Sequence, residues 1–342
     1  MRIHLVIALA AAASLGACSS ESPKDQALHG TKSFITKNLD ALVTSTTALQ
    51  MSAPAGGPNG WDAAGADAAA IATMKMHWKE ARTAYESIEG AIAVLFPDLD
   101  VSTDERYDGF LSAYGPDDDL FDDQNVTGIH AIERILWSDS IPDSVVKFES
   151  SLPGYQPARF PQTQAEAQEF KTKLCARLVA DIHTMQSQFE PLALDPAAAY
   201  RGIIGSMSEQ VEKANKAATG EEESRYAQYT LADMRTNVAA GASTYDNFAA
   251  WLKSNSGGAD ADAAIRDGFA RIDAAYGALS GDALPPVPTD WSSLSPSTAD
   301  QATPFGMLYM LLLHEADPTQ SGSLVSAMDQ SADLLGIPQL PQ

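Results

Sequence analysis

The sequence predicts an all-α protein built from two packed helical bundles, with the style of the first half repeated in the second. Three observations carry this. Period-two alternation is almost absent, apolar residues recur three and four apart over long stretches, and the joints between those stretches are short or proline-rich. With 342 residues and 45% hydrophobic content, the chain has ample material for a large core.

The first residues read as a secretory leader. Arg2 supplies the charge, residues 5–13 form an apolar run too short to span a membrane, and Leu15-Gly16-Ala17-Cys18 resembles a bacterial lipobox. The expectation is removal of residues 1–17 and lipidation of Cys18. Ser19 and Ser20 follow with no Asp after the cysteine, which suits a lipoprotein on the periplasmic face of the outer membrane. An ordinary secretory signal with no role for Cys18 is the alternative. Residues 18–26 read as a polar tether.

Helical spacing begins over 30–49, with Phe34, Leu39, Leu42 and Leu49, and breaks at the Pro/Gly-rich stretch 53–60. A long helix is expected over 62–95, closed by Phe96-Pro97, with a stripe of Trp78, Tyr85, Ile92 and Phe96. Glu89 falls within that stripe, where a carboxylate must be paired, protonated or bound. A salt bridge to Arg82 is the plain reading, while Glu86, further round, reads as solvated. A short helix is expected over 104–114. The acidic run Asp117, Asp118, Asp119, Asp122 and Asp123 lacks the spacing and closing Glu of an EF-hand loop and reads as a solvated cap for the next helix.

That next helix, 128–137, is the one around which function is organised. His130 and Glu133 stand three apart and share a face with Trp137, beside Ile129, Ile132 and Leu136, whereas Arg134 and Ser138 point the other way. An imidazole and a carboxylate at the edge of a buried stripe need neutralising, and a metal ion is the sharpest candidate. His77-Trp78-Lys79-Glu80 has the same spacing away from its helix's apolar face and serves as a control: the spacing alone is a weak signal.

A long connection is expected over 150–162, a helix over 164–189, and a division at Pro191 and Pro196, which gives bundles of 27–192 and 193–342. The second begins with a helix over 197–218, a loop over 219–223 and a helix over 225–253. On the last, Tyr226, Tyr229, Asp233, Asn237, Ala240, Thr244 and Trp251 share a face, so Asp233 is a second carboxylate in a core-like stripe, and Gly241 admits a close helix neighbour. Helices are also expected over 260–279, 299–316 and 323–335. His183 and His314 read as packed, surface or capping residues, and Met207, Met234, Met307 and Met310 as core filler.

The formal charge of −23 argues against nucleic acid and anionic lipid surfaces as partners and suits a body that attracts cations. With Cys18 used as an anchor only Cys175 remains, so no disulfide is expected.

Ala81-Arg82-x-x-Tyr85-x-x-x-Glu89, then Gly128-x-His130-x-x-Glu133 with Leu136-Trp137, and Asp233-x-x-x-Asn237-x-x-x-Gly241 resemble the imelysin family, and most closely its EfeO-like branch of exported iron-uptake components. The resemblance covers the chain from about Gly30 onward. It implies two helical bundles related by an internal duplication, a metal site at His130, Glu133 and Glu89, with Asp233 a weaker addition, and a role in iron uptake alongside an envelope transport partner. A cupredoxin-like domain, which some EfeO proteins carry, is not found in this sequence. Arg82 and Asn237 are placed as residues that orient the ligands. One imidazole with carboxylates and no thiolate suits iron, with zinc or manganese as alternatives. Two other functions stand beside this one. A metal-dependent peptidase is suggested by the family's name, although H-E-x-x-H is absent. A non-catalytic interaction module would make the His130 cluster a buried polar network.

Overall fold

The structure is a computed structural model that describes residues 21–340. The leader and Cys18 lie outside the described residues. Among those described, the protein is helical throughout and contains no strand.

The chain opens with α1 (Pro23–Ser52), capped by the Ser22 side chain and with Pro23 at its first turn, so residues assigned to a tether are helical. Its buried side, with Ile35, Leu39, Leu42 and Leu49, lies along α2 (Ala68–Glu86). The expected helix over 62–95 is in fact two: α2 stops at Ser87 and Ile88, and α3 (Glu89–Leu95) restarts with Glu89 in its first turn. Phe96-Pro97 ends α3 and opens α4 (Pro97–Asp104), so the helix expected over 104–114 is replaced by α4 and then α5 (Tyr107–Tyr114).

Next in the site's construction is α6 (Gly128–Leu136), on which every residue is buried. Arg134 therefore does not point to solvent. Its guanidinium lies over the Tyr107 ring and donates to Glu149 at 3.1 Å. The acidic loop is likewise not wholly solvated: Asp119 and Asp122 cap local turns, but Asp117 is buried. α7 (Asp143–Glu149) falls where no helix was expected, and the helix over 164–189 is interrupted by a wide turn at Phe170–Leu174, between α8 (Gln164–Glu169) and α9 (Cys175–Phe189).

α10 (Pro196–Lys216) and α11 (Thr230–Lys253) follow, the latter starting five residues later than expected because 224–229 form a turn. α11 packs against α1, α2, α10 and α12 (Gly258–Gly277). Gly241 sits where a Cβ would lie 3.1 Å from Met207 and 3.3 Å from Ile203 of α10. The last helices are α13 (Thr298–Gln301), α14 (Pro304–Glu315) and α15 (Leu324–Leu335); Met307 on α14 is exposed rather than core. Hydrophobic residues from Ala27 to Ile337 form one continuous core that crosses the expected division at Pro191 and Pro196.

Two glycine contacts position the site. A Cβ on Gly90 of α3 would meet the Gly202 carbonyl oxygen of α10 at 2.7 Å, and one on Gly202 would meet the Gly90 oxygen at 2.2 Å, so α3 and α10 cross in backbone contact. Gly128 has φ of 81° and packs on the end of α4, where a Cβ would lie 2.5 Å from the Thr103 oxygen. This seats the start of α6 beside Asp104. Gly128→Ala combines a left-handed backbone with a clash, and is expected to cost about 2 kcal/mol of stability in urea unfolding; a loss within a few tenths of zero would show that α6 tolerates another seating.

Candidate metal centre

His130 and Glu133 share one face of α6, as their spacing dictates. His130 Nδ1 lies 2.7 Å from Glu133 Oε2. The other carboxylate oxygen accepts from the backbone N–H groups of Tyr226 at 2.9 Å and Ala227 at 2.8 Å. Both amides belong to the turn that precedes α11, where no helical hydrogen bond claims them. With Nδ1–H directed at Glu133, the imidazole keeps its lone pair on Nε2. That atom is buried without a hydrogen-bond partner. Burial, and then the Arg82 charge, lower the His130 pKa and hold the ring neutral.

Two carboxylates face Nε2. Asp104 Oδ1, at the end of α4, is 3.4 Å away. Glu223, in the loop before α11, completes a set in which ligand atoms of Asp104, His130 and Glu223 all lie within 4.8 Å of one another. Glu86, Glu89 and Glu223 form a second such group that shares Glu223. Asp104, Glu223 and Glu89 also line a cavity of about 240 Å³, with Asp100, Glu209 and Lys213. The imidazole thus stands one layer behind the cavity floor.

The chain supplies its own cations here. Arg82, wholly buried, bonds Asp104 and Glu86 and lies 3.4 Å from Asp233 and 3.6 Å from Glu223. Lys213 Nζ contacts Glu89 at 2.9 Å, Glu223 at 3.0 Å and Glu86 at 3.5 Å. Burial would lower the pKa of Lys213, but Glu223, Glu86 and Glu89 outweigh it and keep the ammonium charged. Burial pushes Glu223 up, but Lys213 and Arg82 outweigh it and hold the carboxyl well below its usual range.

The expected residues therefore divide. His130 and Glu133 are together, with Glu133 turned to Nδ1 and the two amides rather than to the Nε2 side. Glu89 is bound by Lys213 and, at 3.1 Å, by Asn237, not by Arg82. Glu86 is buried on Arg82 rather than solvated. Asp233 sits behind Arg82, with Oδ2 accepting from Ser224 and Oδ1 buried without a partner. Asn237 bridges Glu89 and the Glu86 carbonyl oxygen. The control pair behaves as a pair: His77 Nδ1 lies 2.8 Å from an exposed Glu80. His183 and His314 are exposed.

Sequence reasoning missed Asp104, Glu223 and Lys213. Lys213 left a signal, since Ser206, Met207, Gln210 and Lys213 recur at helical spacing on the buried side of α10. Asp104 and Glu223 stand at a helix end and in a loop, where no periodicity marks a side chain as inward.

Comparison with known proteins adds family and fold. The family model described as Imelysin (Peptidase_M75) matches residues 35–302, a span that contains every residue of the centre. The iron uptake system component EfeM of Pseudomonas syringae pv. syringae is 23% identical over 207 residues, 60% of this chain. The match covers 55% of EfeM, so the chain spans about half the length of this curated relative. Two solved structures share the fold. A putative iron-regulated protein A precursor from Parabacteroides distasonis has a TM-score of 0.59 at 14% identity and covers 93% of this chain and 97% of its own. An imelysin-like protein from Psychrobacter arcticum has a TM-score of 0.58 at 12% identity and covers 94% and 99%.

The crowded carboxylates make the stability of the metal-free protein depend on pH. Burial is the first cause in each case, and it pushes Asp104 and Asp100 up to about 7 and Asp233 up to about 6. Each binds its proton more tightly folded than unfolded, so its contribution is complete below about pH 4 and is lost as pH rises through 6 to 7. His130, held neutral, acts in the opposite sense, but it is one group against three. The melting temperature of chelator-treated protein is expected to fall between pH 5 and pH 8; a rise across that interval would contradict the raised values.

Proposed function

The chain belongs to the imelysin family, and from that premise we propose that it is an exported cell-envelope protein that binds a metal ion, iron foremost, as the cargo of an uptake system. The observation that carries this reading is the Nε2 atom of His130. Its ring is fixed by Glu133, its lone pair is buried without a partner, and it faces Asp104 and Glu223. A buried nitrogen acceptor left unsatisfied costs about 1–3 kcal/mol, and a cation at this position would remove that cost.

In this reading His130 Nε2, Asp104 and Glu223 hold the ion. Glu133 touches the imidazole and not the ion: it sets the tautomer and the ring's direction, as a carboxylate does for a metal-binding histidine. Glu89 stands on the cavity wall on the way in, and Asp233 keeps Arg82 in place from behind. One imidazole with carboxylates and no thiolate suits iron or manganese, with zinc able to compete. The name of the Pseudomonas relative favours iron among these, and a further envelope component is the partner expected to receive it. Lipidation at Cys18 would tether the protein near such a partner. The acidic surface would concentrate cations at the cavity.

A hydrolytic role draws no support from Glu133, the carboxylate closest to the imidazole, because it faces Nδ1 and two amides rather than the Nε2 side where a reacting water would stand.

Titration calorimetry with ferrous ion under anaerobic conditions, and with Mn²⁺ and Zn²⁺, tests the assignment. His130→Ala is expected to abolish binding in the measurable range, and Glu133→Gln to weaken it by roughly 10–100-fold while circular dichroism stays that of the wild type. A folded His130→Ala variant with wild-type affinity would reject the centre.

A further inference from the structure

Arg82 does not face the cavity; Lys213 does, together with Arg106 and Lys216, and of these three only Lys213 is buried and ion-paired with Glu223. Arg82 has no exposed surface, reaches carboxylates on α2, α4, α11 and the 219–223 loop, and is held by planar, multidentate contacts. Lys213 lines the cavity, and its ammonium sits at the centre of Glu86, Glu89 and Glu223, three carboxylates whose oxygens already lie within the spacing of a cation site. The residue it shares with the His130 centre is Glu223: Lys213 takes Oε2 at 3.0 Å, and Arg82 stands 3.6 Å from Oε1.

A lysine is suited to leave such a position and an arginine is not. Its charge is a point on a flexible four-carbon stem, and it carries no fixed fork of donors that must all be satisfied together. Glu209 and Glu212, exposed on α10 one turn or less before Lys213, also line the cavity; Glu212 is paired with Lys216 at 2.7 Å, which leaves Glu209 as the new partner for the ammonium. Lys213 lines the cavity and His130 does not, so a multivalent ion that enters by the cavity meets this ammonium before it meets His130, and it competes for the same Glu223 oxygens with a higher charge.

We propose that Lys213 is a tethered counter-ion that an incoming multivalent cation displaces: in the metal-free protein it holds Glu86, Glu89 and Glu223 together, and it swings to the rim when the ion takes Glu223. This rests on the metal-binding reading above and adds to it a residue that sets affinity without touching the ion. Lys213 is a positioning residue in this scheme. The displacement is part of the binding equilibrium, so affinity is lower than the bare donor set would give.

Two measurements test it, with Mn²⁺ alone as the probe. In Lys213→Met the stem remains but no charge has to be displaced, so affinity is expected to rise at least tenfold, while Lys213→Arg, which keeps the charge, stays at or below wild-type affinity. In the wild type, acylation of amines followed by peptide mass spectrometry should find Lys213 slow in metal-free protein. It should become at least tenfold faster at saturating Mn²⁺, with exposed Lys37 as the unchanged reference. Lys213 labelling that stays slow at saturation overturns the proposal whatever the variants do, including a Lys213→Met that does not fold. A folded Lys213→Met that binds no tighter also overturns it. Absence of Mn²⁺, Fe²⁺ and Zn²⁺ binding by both wild type and Lys213→Met would remove the metal reading and this one with it; binding by the wild type without a change at Lys213 removes this one alone.

Discussion

The site depends on a guanidinium that has lost all contact with water. Arg82 reaches Glu86 on its own helix, Asp104 at the end of α4, Glu223 in the loop after α10 and Asp233 on α11. Removing a cation from water costs several kcal/mol unless charged partners return it, and here the partners come from segments as far apart in sequence as residues 82 and 233. The interaction is therefore a geometric constraint before it is a source of stability. α2, α4 and α11 must come together at one depth, or a charge is left bare. Asp104 and Glu223 are fixed relative to His130 by the same constraint.

Around this ion the balance is uneven. Glu86, Glu89, Asp104, Glu223 and Asp233 face two buried cations, Arg82 and Lys213. The surplus has two outlets. Protons can take it up, which is the physical meaning of the raised values at Asp104 and Asp233. A metal ion can take it up instead, at the one point where an imidazole lone pair has been left free. Both act on the same carboxylates, so protons and metal compete, and a cation that binds must release what it replaces.

Much of this was legible in the sequence, and what was not has a physical reason. The all-helical class follows from spacing, and the shared face of His130 and Glu133 follows from helix geometry, since both are local properties. The burial of Arg134 and Glu86 was not local. α6 is enclosed on every side, so its polar face has no solvent to reach, and Glu86 is drawn in by the arginine four residues before it. The break at Ser87 and Ile88 has no proline or glycine to announce it, and it turns Glu89 toward α10, not back toward Arg82. Asp104 and Glu223 are placed by tertiary packing alone: one by the seat of Gly128 on Thr103, the other by the loop that feeds the turn holding Glu133.

The arrangement of internal cations bears on what kind of binding the centre is built for. A structural metal site gains from donors that are fully committed to the ion, because its task is to hold. Here Glu223 is already bonded by a lysine and flanked by an arginine, Asp104 by that same arginine, and only His130 stands uncommitted. In the proposed reading Glu223 must be won from Lys213, which remains within reach to reclaim it, while Arg82 stays in place beside Asp104. On that reading such competition would lower affinity, but it would also give the ion's departure a pathway that needs no unfolding: the lysine returns, protons return, and the carboxylates stay neutralised throughout. If the protein passes an ion onward, as proposed, it needs this more than it needs the tightest grip, and a cavity wall where capture and release share the same side chains would satisfy both demands with one set of residues.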